Sequence, residues 1–154
     1  MQFANVVQLS ARRDEVWAYL QDPHTMEHCI PGLEQVEISE GGRVVSGVTR
    51  LSLGPTTVRL PARVEWMERC APEQGKLRVL TTVSDYEIEG MGSVALAAQE
   101  DDSTELSWEV EVRMPPLFDR NSMLANMVRL FVSRFTKEFF TCVEAHFSRF
   151  DTAK

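Results

Sequence analysis

In Glu105-Leu106-Ser107-Trp108-Glu109-Val110-Glu111-Val112-Arg113-Met114, the apolar residues Leu106, Trp108, Val110, Val112 and Met114 alternate without a break with polar ones. A two-residue period marks a strand with one face buried and the other in water. Pro115-Pro116 ends it, because proline has no amide to give a ladder and restricts the residue before it. Beyond this point the period changes. From Met123 to about Phe150, Leu124, Met127, Val128, Phe131, Phe135, Phe139, Cys142, Val143 and Phe147 form one stripe at helical spacing, with Arg129, Lys137, Glu138 and Glu144 mostly elsewhere. Asn121 or Ser122 is placed to cap this helix. Roughly 28 residues of helix span about 40 Å, enough to cover an entire sheet.

Upstream, Phe3 to Leu9 reads as a first strand, with Ser10 as N-cap of a short helix over Ala11 to Leu20 that buries Val16, Trp17 and Leu20. Asp22-Pro23 ends this helix and starts a second one, with Asp22 as cap and Pro23 at its first position, carrying Met26 and stopping before Ile30-Pro31-Gly32. Leu33 to Ser39 and Arg43 to Leu53 form a hairpin around Gly41-Gly42, and Gly54-Pro55 breaks the chain. Thr57 to Glu68 turns Val58, Leu60, Ala62, Val64 and Trp66 to one side; Pro61, on the other, argues for an edge or a bulge. After a Pro72–Gly75 loop, Lys76 to Ile88 reads as one long strand broken by Gly90 and Gly92. Val94 to Ala98 follows as a short strand and Gln99 to Ser103 as a hairpin loop.

Strands joined by short turns are mostly antiparallel, and their apolar faces need a cover that only the last helix is long enough to supply. The expectation is therefore an α+β chain. A curved seven-stranded antiparallel sheet wraps a long C-terminal helix, two short helices follow the first strand, and residues 1–154 form one domain. A sheet of this size curls through its twist and leaves a concave space against the helix.

The composition excludes several classes. A chain of 154 residues buries roughly 70% of its unfolded surface and needs no staple. The net charge of -7 argues against binding nucleic acid. Cys29, Cys70 and Cys142 are odd in number and far apart, so reduced thiols in a cytoplasmic protein are expected rather than a disulfide framework or a zinc knuckle. The N-terminus lacks the pattern of a signal peptide, and no apolar run approaches the roughly 20 residues that span a bilayer.

Chemistry-bearing motifs are few. His24 and His28 could share a helical face, but no glutamate base or third ligand accompanies them, and two solvated histidines are the simpler reading. Cys29 reads as a buried structural thiol. Asp85, Tyr86 and Glu87, near the glycines, could bring a polar group into a cavity, although a surface position suffices to explain each carboxylate. Neither a catalytic triad nor a phosphate loop nor a paired-carboxylate motif is present, so no catalytic residue, metal ligand or cofactor is assigned.

The segment Asp14-Glu15-Val16-Trp17-Ala18-Tyr19-Leu20-Gln21-Asp22-Pro23, with Met26 and Cys29-Ile30-Pro31-Gly32 after it, resembles the CoxG family of carbon monoxide dehydrogenase subunits, within the START-like (SRPBCC), helix-grip superfamily. Gly54-Pro55 and the Gly90/Gly92 segment also fit. The resemblance implies a helix-grip fold whose cavity between sheet and long helix holds a lipid, a quinone, a polyketide or another hydrophobic small molecule. It also implies a non-catalytic accessory role with a molybdenum-containing CO dehydrogenase or related hydroxylase. Membrane-anchoring members carry a further hydrophobic C-terminal segment that the residues to Lys154 do not match, so at most a peripheral membrane contact is expected. The wall candidates are Leu53, Leu60, Trp66, Trp108 and Val110 from the strands, with Phe118, Phe131 and Phe135 from the C-terminal part. For Trp66, Trp108 and the phenylalanine stripe, plain core packing is the competing reading. A small cyclase, dehydratase or hydrolase is the functional alternative, and an interaction module with an incidental pocket a third reading.

Overall fold

The computed structural model describes residues 1–152 except Ser84 and Asn121, and the side chains of all of these but Leu51, Leu53, 119–122 and 149–152. Strand β1 (Gln2–Leu9) leads into helices α1 (Arg13–Gln21) and α2 (Pro23–Cys29). Six strands follow: β2 (Leu33–Ser39), β3 (Val44–Leu53), β4 (Thr56–Cys70), β5 (Gln74–Val83), β6 (Tyr86–Ala98) and β7 (Thr104–Arg113). Helices α3 (Pro116–Arg120) and α4 (Ser122–Thr152) complete the chain. The seven strands make one antiparallel sheet in the order β1-β7-β6-β5-β4-β3-β2. This is the expected sheet, with α4 lying along it.

Local signals explain most boundaries. Asp22 caps α2, its carboxylate accepting from the His24 amide at 2.9 Å, with Pro23 in the first turn. Ser10 does not cap α1. That helix starts later, behind Arg12, and has Asp14 and Glu15 in its first turn to meet the positive end of its dipole. Pro116 opens α3, a short helix that the proline pair concealed. The Asn121 alternative for the α4 cap lies outside the described residues.

The expected long strand from Lys76 to Ile88 is in fact the junction of two. The chain turns after Val83, with Asp85 at φ 67°, and re-enters the sheet at Tyr86. Aspartate tolerates this left-handed conformation, which a tight hairpin needs. Gly90 and Gly92 break nothing; they pair with Val79 and Leu77 of β5 within an unbroken β6. At Pro61, β4 pairs with Val48 of β3, while its pairing with β5 starts only at Ala62. An interior strand thus behaves there as an edge, where the missing amide costs nothing.

Cys29 and Cys142 form a disulfide, with Cα atoms 5.5 Å apart, and Cys70 is free and exposed. This corrects the expectation of three reduced thiols. The pair is hidden in the sequence because 113 residues separate its members; the fold brings the end of α2 against the C-terminal half of α4. Tyr19 of α1 reinforces the contact, stacking on His146 at 4.0 Å with its hydroxyl 3.5 Å from the Cys29 sulfur.

The core divides into two clusters. One lies beneath α1, α2 and the C-terminal half of α4, around Val16, Trp17, Trp66, Leu106, Phe139 and Val143. The other lies beneath α3 and the N-terminal half of α4, around Leu60, Ile88, Val112, Phe118, Val128 and Phe131. Among the described residues, no helix is long and apolar enough to cross a membrane.

Candidate functional site

Strand register turns every second residue of β4 to β7 toward α4. One inward row is Ala62–Thr81–Ile88, the next Val79–Gly90–Val112, and the next Trp66–Leu77–Gly92–Val110. The β6 members of the last two rows are glycines, so the sheet has no side chain at two adjacent points of its concave face. A Cβ added at Gly90 would have Val110 Cγ1 at 3.7 Å and Val79 Cβ at 3.9 Å as its nearest neighbours. At Gly92 the nearest atoms would lie at 3.7 Å. Both positions have room for a side chain that the sequence does not supply.

The result is a hollow in two chambers. In the upper one, Leu60, Thr81, Ile88 and Val112 face Met127, Val128, Phe131 and Val132 of α4. In the lower one, Val64, Leu77, Val94 and Trp108 face Met26, Phe139 and Phe140. Val79, Val110, Phe135 and Thr136 line both, so the chambers adjoin. Their empty volumes, open mouths included, are about 750 and 520 Å³.

The wall is almost entirely carbon. Thr136 returns its hydroxyl to the Val132 carbonyl at 2.8 Å. Thr81 Oγ1 and Trp108 Nε1 are buried and have no partner among the described residues. Glu109 lies between inward-facing Trp108 and Val110, so its exposed side chain belongs to the outer face. What the wall presents to the hollow is apolar contact. Among the described lining residues no carboxylate, amine or imidazole faces the interior.

Of the wall candidates, Leu60, Trp108, Val110, Phe131 and Phe135 stand at the hollow. Trp66 stands aside in the packed core, its ring 6.2 Å from that of Trp17 and pressed onto Gly75. Phe118 is fully buried beneath α3, with the Tyr86 ring edge-on at 5.7 Å. The Leu53 side chain lies outside the described residues. Sequence reasoning missed Met26, Val79, Thr81, Ile88 and Val132. A continuous register from the β5–β6 turn would have found the strand residues, but the misplaced turn hid it.

Asp85, Tyr86 and Glu87 sit exposed at the β5–β6 hairpin, away from the described lining. His24 is exposed and bonds Glu27 at 3.2 Å. Among the described residues, no three His, Cys, Asp or Glu side chains come together as metal ligands would.

Similar arrangements occur in solved structures. A conserved protein from Geobacillus kaustophilus superposes with a TM-score of 0.78 at 18% identity, covering 97% of this chain and 96% of its own. Norcoclaurine synthase of Thalictrum flavum, solved as a point mutant with a transition-state analogue, gives 0.72 at 12% identity over 98% and 96%. The Zhui aromatase/cyclase of Streptomyces sp. R1128 gives 0.66 at 18% over 97% and 94%. At such identities the likeness establishes the fold alone, the helix-grip fold. No curated protein sequence matches the chain. A family profile does, that of the carbon monoxide dehydrogenase component CoxG, over residues 6–148. Since that span takes in nearly every element from β1 to α4, the chain belongs to the CoxG family of carbon monoxide dehydrogenase subunits.

Proposed function

We propose that this protein is a carrier that holds one elongated apolar molecule, of lipid, quinone or polyketide-like type, in the two-chambered hollow. The observation that carries the reading is the carbon-lined space that Gly90 and Gly92 leave opposite α4. A ligand that loses about 300 Å² of apolar surface to such a wall gains roughly 7 kcal/mol before the costs of association. A cyclase, dehydratase or hydrolase would need an acid or base against its substrate, and the described lining supplies none, so the carrier reading is preferred.

We further infer that the client is a molybdenum-containing CO dehydrogenase or related hydroxylase, and that the carrier works in the cytoplasm. The family profile supports the client. Exposed Leu117, Met123 and Leu130, on α3 and the first turns of α4 beside the upper chamber, would supply apolar surface for docking. In a reducing cytoplasm, the Cys29–Cys142 bridge would depend on its burial for survival.

Native mass spectrometry of the purified protein after exposure to a total lipid extract tests the carrier reading. The expected result is a one-to-one adduct and a raised melting temperature. A protein that retains nothing from the extract, and whose melting point no apolar compound moves, refutes it. Co-purification with the hydroxylase tests the client separately.

A further inference from the structure

The Cys29–Cys142 bridge is one helical turn from the lower chamber's wall on both of its helices. Cys29 ends α2, and Cys142 lies in the C-terminal half of α4. Three residues before Cys29 stands Met26, and three before Cys142 stands Phe139, and both line the lower chamber. Among the described residues, none of α2 lines the upper one. The bond therefore ties together two sides of a single chamber. α2 has seven residues, well short of the roughly 12 that hold a helix unaided, so its place depends on what it is fastened to.

Burial shields the bridge unevenly, since Cys29 is 3% exposed whereas Cys142 is only partly buried. The Tyr19 hydroxyl, 3.5 Å from the Cys29 sulfur, is placed to donate to a thiolate there. Disulfides are rare in a reducing compartment, and those that occur are mostly redox-sensing or catalytic. Resting on the carrier reading above, we propose that the bridge is a redox switch on the hollow. Oxidised, it holds α2 against α4 and the lower chamber grips its ligand; reduced by a cellular dithiol, it frees α2 and the ligand is held more weakly.

In the chemical step, a thiolate of the dithiol attacks one bridge sulfur, the S–S bond breaks, and the other cysteine leaves with the electron pair and takes a proton. The dithiol's second thiol then attacks the mixed disulfide, so the second cysteine leaves in turn and the reductant closes its own disulfide. Two electrons pass to the protein. A wall already fixed in its bound shape spares a ligand the cost of ordering it. The coupling is reciprocal: a ligand that prefers the oxidised form makes the bridge harder to reduce by the same factor.

The probe is dodecanol, measured by displacement of the neutral dye N-phenylnaphthylamine. Reduction with dithiothreitol is expected to weaken binding about 5- to 20-fold. The double variant Cys29→Ala, Cys142→Ala should bind like the reduced protein and ignore dithiothreitol, which excludes Cys70 as the source. Two readings do not depend on that variant folding. Saturating dodecanol should raise, by the same factor, the ratio of reduced to oxidised dithiothreitol that half-reduces the bridge. In protein labelled with carbon-13 at the methionine methyls, the Met26 signal, assigned with the volume-conserving Met26→Leu, should move on reduction, while that of Met127 in the upper chamber stays.

Equal affinity before and after reduction overturns the switch and leaves the carrier standing; dye and dodecanol bound by neither form overturn both. The switch also falls if the double variant binds like the oxidised protein, if dodecanol leaves the reduction equilibrium unmoved, if Met26 ignores reduction, or if Met127 moves as far as Met26. Reduced protein that no longer melts cooperatively would make the bridge a structural staple alone and would overturn the switch as well.

Discussion

Gly32 ends the Cys29-Ile30-Pro31-Gly32 turn at φ 63°, and a Cβ there would collide with the Arg50 carbonyl oxygen. The turn is held to β3 by two bonds: the Thr49 hydroxyl donates to the Pro31 carbonyl at 2.7 Å, and the Arg50 amide to the Gly32 carbonyl at 3.0 Å. The glycine thus serves both a left-handed backbone and a close approach of two main chains. Gly41 has a similar φ of 65° but nothing within 4 Å of its would-be Cβ. Gly32→Ala should therefore cost at least about 2 kcal/mol, and Gly41→Ala only about 1 kcal/mol, measured from urea denaturation midpoints. Equal losses would show that the contact with Arg50 contributes nothing. From sequence, Pro31-Gly32 was legible as a turn, because proline and glycine act locally. Its partner was not, since Thr49 and Arg50 reach it only through the sheet.

Elements were legible where one local signal ruled and obscure where two competed. The β7 alternation and the α4 stripe came through because period and length agree over many residues. The β5–β6 hairpin was misplaced because two glycines outweighed a single aspartate as punctuation. In the fold those glycines are strand interior and Asp85 makes the turn. Long-range pairing was invisible for the same reason as the Thr49 contact. The Cys29–Cys142 bridge joins α2 to α4 across 113 residues, and cross-links over long loops restrict the unfolded chain most. Cys29→Ala with Cys142→Ala, or reduction of the wild type, should lower stability by about 2–4 kcal/mol. Thiol titration of the unfolded, unreduced protein should count only Cys70. Three reactive thiols there would refute the bridge.

On the outer face of the sheet, Glu65 of β4 has a side chain only 9% exposed, with Arg78, Arg63 and Arg43 at 3.4, 3.6 and 4.0 Å. Arg78 also reaches Glu89 of β6 at 3.4 Å, so the network links β4, β5 and β6 with the turn that precedes β3. Glu65→Gln would leave three guanidinium groups without their shared anion. About 1–2 kcal/mol of stability should be lost, less at high salt, because the arginines are partly exposed and screened. A variant as stable as wild type at low salt would mean that the network adds nothing net.

Across the whole molecule, the sheet curls around one face of α4 without closing on it, and the core splits into two clusters, with the hollow running past Val110 and Phe135, which pack against both. Sequence could announce the concave sheet, the long helix and the apolar character of the space between them. It could not separate solid core from wall, because Trp66 and Trp108 share the same residue type and strand pattern. What distinguishes them is the neighbour: Gly75 accepts the Trp66 ring, whereas Gly92 faces a void. Gly90→Phe turns this geometry into a test. Position 90 lies inside β6 in the wall of the upper chamber, and a Cβ there meets only ordinary contacts. The added ring would bury apolar surface and restrict the unfolded chain, both favourable, against some strain from crowding. Stability should stay within about 1 kcal/mol of wild type or rise, while affinity for the apolar ligand falls at least about tenfold, a loss of about 1.4 kcal/mol. Calorimetric melting and dye displacement on the same preparation separate the two effects. A folded Gly90→Phe that still binds like wild type would place the ligand outside this hollow, and the carrier assignment would fall with it.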